Sequence, residues 1–209
     1  VNALAGGKVA LSGVLNANGG YGNIITADGA DSELRVAGVT SLAATSVSVQ
    51  GGSLVTFDSA SLLSNVGLYA DGGGQILFPV ATSYTGNNYA DTTIVASGAG
   101  SRIDLSHLLT FDGGGGYVDS HGYGHAYATY VNALAGGKVD LSGVLNANGG
   151  YGNIITADGA GSALGVAAIT SISATSLSAA NGAVWIFPAG WHPTWGSGNT
   201  LSASGPGNQ

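Results

Sequence analysis

The sequence predicts an all-β chain wound as a parallel β-helix, a right-handed β-solenoid of about eight coils. Three observations lead there: a composition suited to strands, a long internal duplication, and a short phrase that recurs along the whole chain. Of 209 residues, 7% are charged and 44% hydrophobic, with 38 glycines and four prolines. Disordered chains are poor in Val, Ile and Leu and rich in charge or proline, so this one can bury a core. That core must be built from small and branched side chains, which fit strands better than helices.

The duplication is plain. The thirty residues from Val1, VNALAGGKVALSGVLNANGGYGNIITADGA, return from Val131 with Ala10 replaced by Asp140 as the one difference. The likeness then decays through TSLAATSVS from Thr40 and TSISATSLS from Thr170. Such near-identity is typical of a long array.

The short phrase decides the fold. A phrase of the form G-x-G-S-x-Φ-x-Φ, with Φ apolar, recurs in full as GAGSRIDL from Gly98 and GAGSALGV from Gly159, and with one or two departures as GADSELRV from Gly29, GGSLVTF from Gly51 and GGGQILF from Gly72. AGGKVAL from Ala5, AGGKVDL from Ala135 and NGAVWIF from Asn181 are variants of it. Inside each unit the apolar residues alternate, as in Val9 and Leu11 or Ile103 and Leu105, which is the period of a strand with one face in and one face out. Many units close on A-D-G or A-S-G, a corner signal. No such unit can close a core alone, so stacking must bury its inward side chains against the next. The expected organisation is one domain, 1–209, with coils starting near residues 5, 29, 51, 72, 98, 135, 159 and 181 and a loop insertion at about 111–130. A coil spacing of ~4.8 Å gives a rod roughly 40 Å long.

Charge and cysteine usage narrow the function. The net charge of −7 sets eleven acids against Lys8, Arg35, Arg102 and Lys138. Four scattered cations cannot neutralise a phosphate backbone, which argues against nucleic acid, and they form no polybasic membrane anchor. No apolar run approaches the ~20 residues of a spanning helix. With no cysteine, disulfides and thiolate metal sites are excluded. The chain starts at Val1 without a signal-type segment and is expected to be a mature piece of something longer.

The G-x-G-S phrase, the Ser/Thr-rich second strand and the A-D/S-G corner resemble the passenger regions of autotransporters and the giant Gly/Ala/Ser-rich surface proteins of bacteria. The resemblance spans the chain and is one of style, with no single diagnostic motif. It implies an extracellular, cell-surface location and an adhesin, filament or matrix role.

Two segments hold candidate functional residues. Asp119, His121 and His125 lie among Tyr117, Tyr123, Tyr127 and Tyr130 in the irregular stretch from Phe111. They have the residue types of a metal site. However, Gly122 and Gly124 work against the helix that would bring two histidines four apart together, so a solvated loop is the favoured reading. The other segment is WIFPAGWHPTW, where Trp185, Trp191, His192 and Trp195 could stack on sugar rings or make a subunit contact. Covering an open end of the stack is the favoured role, because an exposed solenoid end is a sheet edge. The phrase from Ile76 to Pro79 is similar, which supports a structural part. Asp28, Asp71 and Asp158 recur at one corner without the ligand pattern of calcium solenoids.

An enzyme of the polysaccharide lyase or hydrolase type needs clustered carboxylates with a cation. Arg102 with Asp104 is the closest set, read as a surface ion pair, and Asp140 is matched by Ala10 in the other copy. The expectation is therefore a non-enzymatic rod without cofactor, structural or adhesive, partnered by end-to-end self-association or by surface glycans. A glycan-binding adhesin is the second reading and a β-helix enzyme the third.

Overall fold

The structure, a computed structural model, describes all residues except 13–15, 188 and 208–209; for residues 16–21, 151 and 186 the backbone alone is described. The chain is all-β, a β-solenoid of about eight turns of parallel stacked strands, with no helix among the described residues. Two sheets carry it. An eight-stranded parallel sheet takes one short strand from each coil, from Lys8–Leu11 and Glu33–Val36 through Arg102–Asp104 and Lys138–Asp140 to Val184–Ile186. A twelve-stranded sheet takes the longer strands, such as Ser41–Gln50, Leu62–Asp71 and Ser171–Ala180.

Each long strand is kinked. In Ser41–Gln50 the alternation of buried and exposed side chains resets at Ala44, which sits in the left-handed region at φ 46°. Asn65 and Ala174 do the same one and several coils on, at φ 52° and 44°. A coil therefore has three straight segments: a short strand, then the two arms of the kinked one.

Stacking in register turns alternation into columns. Val47, Leu68, Ile94, Val131, Ile155 and Leu177 are each paired to the next and all are at most 1% exposed. Aromatic rings share such columns, Phe57 on Phe78 with centroids 4.7 Å apart and Tyr84 on Phe111 at 4.9 Å, both nearly parallel. Offset stacking of this kind adds about 0.5–1.5 kcal/mol beyond burial.

The recurring serine has a specific job. Ser162 is fully buried, its Oγ donating to the Asp158 carbonyl at 2.7 Å while accepting the Gly136 N–H of the preceding coil at 2.9 Å. Ser32 and Ser101 repeat this with Gly6 and Gly73. The hydroxyl gives the corner N–H its acceptor and adds a second donor to a carbonyl that already takes a backbone N–H, Ala135 to Asp158 at 3.0 Å. Where the position is glycine the backbone closes in instead, since a Cβ on Gly74 or Gly137 would sit 2.1 Å from a carbonyl oxygen of the neighbouring coil.

A second polar ladder lines the kink. Thr45 and Thr175, buried just after it, donate to the Ala43 and Ser173 carbonyls at 2.8 Å. Both accept an amide from Asn23 or Asn153 of the coil before, at 3.1 and 3.2 Å.

Candidate functional site

Irregularity gathers at one edge of the rod, the kink between the two arms. There Ser41–Gln50, Leu62–Asp71 and Ser171–Ala180 turn on single residues, while other coils insert chain. Residues 149–152 lie between the paired arms of Asn146–Asp158, residues 86–91 separate Ser83–Thr85 from Thr92–Ser97, and residues 113–128 separate Thr110–Asp112 from Thr129–Leu134. The last insertion is ordered as an antiparallel hairpin, Gly115–Val118 with Gly124–Tyr127, where the sequence suggests only a loop.

The hairpin brings together part of the proposed histidine set. The Asp119 carboxylate accepts the backbone N–H groups of His121 and Tyr123, each at 2.9 Å, and faces His125 Nε2 at 3.2 Å. The Tyr123 contact, then the His125 bond, hold its pKa below the usual carboxylate range. His121 occupies the turn with its ring beside Ser120. No group of three or more His, Cys, Asp or Glu side chains with metal-binding geometry occurs among the described residues. The His125 ring instead stacks on Tyr117 at 4.7 Å, which in turn meets Tyr89 and Tyr127.

Beside this hairpin, where Ala44 and Asn65 make two successive single-residue corners, the surface dips into a cleft of about 470 Å³. Residues 22–24 bound one end and Asp91 with Thr93 the other. Tyr69 lies along it, 37% exposed. Its ring occupies the space over Gly67, where a Cβ would come within 3.1 Å of Tyr69 Cε2. Asp91 is fixed by the Ala128 N–H at 2.8 Å.

Positive charge is confined to the opposite sheet, while Asp28, Asp71, Asp112 and Asp158 lie on the twelve-stranded one. All four cations lie on the eight-stranded sheet, Lys8 with Glu33 at 3.5 Å, Arg35 with Asp58 at 2.6 Å, and Arg102 with Asp104 at 2.8 Å and Asp140 at 3.7 Å. Lys138 neighbours Arg102 in register. Asp104 and Asp140 also accept the N–H of Ser106 and Ser142, two residues on, so both carboxylates brace the turns that follow them. Of the corner acids, Asp158 accepts the Asn181 side-chain amide at 2.8 Å.

The tryptophans divide. Trp185 continues the core column of Leu164 and is 7% exposed. Trp191 stacks on Phe187 at 4.3 Å and donates Nε1–H to the Ile169 carbonyl at 2.8 Å. His192 is exposed. Trp195 follows Ile172 in the column of Tyr84 and Phe111 yet is 47% exposed, and Leu201 follows Leu177 and is 52% exposed. Both continue a core column by register while staying half exposed.

The fold and surface define a parallel β-solenoid with its cations and their ion pairs on one face, a hydroxyl-rich face and an irregular edge. The chain matches no family model, no curated protein and no solved structure.

Proposed function

We propose that the chain is a segment of an extracellular structural rod, a stiff element of a bacterial surface or matrix protein that extends by stacking of further coils at its ends. The observation that carries this reading is the in-register stack itself, whose core columns repeat from coil to coil. The strand that bears Leu201, Thr200–Ser204, has the pattern of residues 93–97, TIVAS, which in the interior are covered by Thr129–Leu134. A coil of this pattern accepts another on its face, since its apolar side chains and strand edge are matched by those of the next coil. When the covering coil comes from a second copy, the contact is heterologous and does not close, which makes a filament. The hydroxyl-rich face suits such a rod because its columns carry no like-charge ladder. The Arg102 set is engaged in bracing turns, which supports a structural reading over an enzymatic one.

The test is electron microscopy of the purified chain over a concentration series, beside Trp195→Ser and Leu201→Ser. Filaments of one narrow width that shorten in both variants support the reading. Short rods at every concentration, unaffected by either change, contradict self-assembly of this chain.

A further inference from the structure

We propose that the corner cleft over Ala44 and Asn65 is a binding site for a neutral oligosaccharide lying along the rod axis, with Tyr69 as its stacking platform. This goes beyond the role as a rod, since a stem needs no ligand.

The platform has no structural reason to exist. Tyr69 is on the outward side of its strand, between Ser48 and Val95 in register, and these neighbours do not call for a ring. Gly67, two residues before it, leaves open the space that the ring occupies. An aromatic face presented this way, with the exposed Ile24 side chain also lining the cleft, suits the C–H face of a pyranose. Around it stand Ser46, Thr93 and the Asn65 amide, which both donate and accept, and the Asp91 carboxylate, which accepts. Few, convergent polar groups beside an apolar floor are the ordinary make-up of a small-ligand site. The cleft crosses three coil-to-coil steps, roughly 14 Å, room for a short run of sugar rings.

Ligand class follows from charge and backbone. The cations are all on the other sheet and the net charge is −7, so uronic or sialic chains meet Asp91 with no counter-charge. A peptide added as a strand needs an unpaired sheet edge, and the floor strands are already paired to one another on either side. What remains is a neutral polyhydroxylated chain, with the Asp91 carboxylate making the strong, charge-assisted bond to a hydroxyl.

The experiment is a printed array of neutral hexosan and N-acetylhexosamine oligosaccharides alongside sialylated and uronic ones. It is run with the wild-type chain and with Tyr69→Ala, Asp91→Asn and Trp195→Ala, each checked for an unchanged circular dichroism spectrum. The expected result is binding confined to neutral probes, weakened at least about ten-fold by Tyr69→Ala, weakened less by Asp91→Asn, and unchanged by Trp195→Ala. In Asp91→Asn the side-chain amide oxygen can still accept the Ala128 N–H, so that variant keeps the loop. No binding to any neutral probe, a preference for the acidic probes, or affinity that survives Tyr69→Ala overturns the proposal. None of these outcomes bears on whether the chain forms rods.

Discussion

Replacing Ser162 by alanine deletes one oxygen that serves two coils. The Asp158 carbonyl keeps a partner, the Ala135 N–H at 3.0 Å, whereas the N–H of half-buried Gly136 loses its acceptor. A buried donor left without an acceptor costs about 1–3 kcal/mol, and a half-buried one sits at the lower end, about 1 kcal/mol. For a chain of this size each kcal/mol lowers Tm by about 2–4 °C. Ser32 makes the same bonds to Asp28 and Gly6 in the other copy of the repeat, at 2.8 and 2.9 Å, but next to an end of the stack. Nearest-neighbour stability means identical chemistry should read out differently. Ser162→Ala should lower the main unfolding transition, while Ser32→Ala should mainly loosen residues 1–28. Five coil steps, ~24 Å, separate the two sites, so the double variant should be additive. Urea melts followed by circular dichroism, with residue-level hydrogen exchange, provide both readouts. If each variant stays within about 0.3 kcal/mol of wild type, the level at which independent sites merely add, the serine ladder is incidental and the account of the G-x-G-S phrase is wrong.

Gly137→Ala places a methyl 2.1 Å from the Ala96 carbonyl oxygen and should cost at least about 2 kcal/mol by forcing coils apart; an unchanged urea midpoint would refute the close approach. Tyr84 donates to the Val66 carbonyl at 3.0 Å, and burial raises its phenol well above the ordinary value. The unfolded chain releases that proton near pH 10 while the native chain keeps it, so stability falls as pH rises past that point. Tyr84→Phe should flatten the alkaline slope, measured as melts between neutral and high pH. The depressed Asp119 carboxyl gives the opposite sense. Its support of the hairpin is present above its unfolded value of about 3.9 and is lost as pH falls through the lower folded value. NMR shifts of residues 115–127 should follow that titration, and Asp119→Asn should abolish it.

The coil rhythm is legible in the sequence because the G-x-G-S phrase repeats a backbone need, a corner whose N–H groups a buried hydroxyl can reach. What the phrase does is not legible, because Gly136 meets Ser162 only after a whole turn of chain. The kink is hidden for a different reason: alanine at Ala44 and Ala174 carries no local preference for the left-handed region, so stacking imposes it against propensity. Tyr69 gives no signal of its own because its outward direction depends on where the kink resets the alternation. The hairpin does leave a trace, Tyr-Val before and His-Ala-Tyr after a turn at Asp119 to Gly122, but the glycine run obscures it. The tryptophans read as a single cluster in the sequence; register separates Trp185, in the core, from Trp195, half exposed.

The proposed rod grows by adding coils to its ends. Amide hydrogen exchange at low and high protein concentration tests it directly. The account predicts that dilute chains show protection falling from the middle coils toward residues 1–11 and 194–204, and that these end coils gain protection as concentration rises. End coils as protected as Ile94 or Val131 in dilute solution, or no gain on concentration, would contradict it.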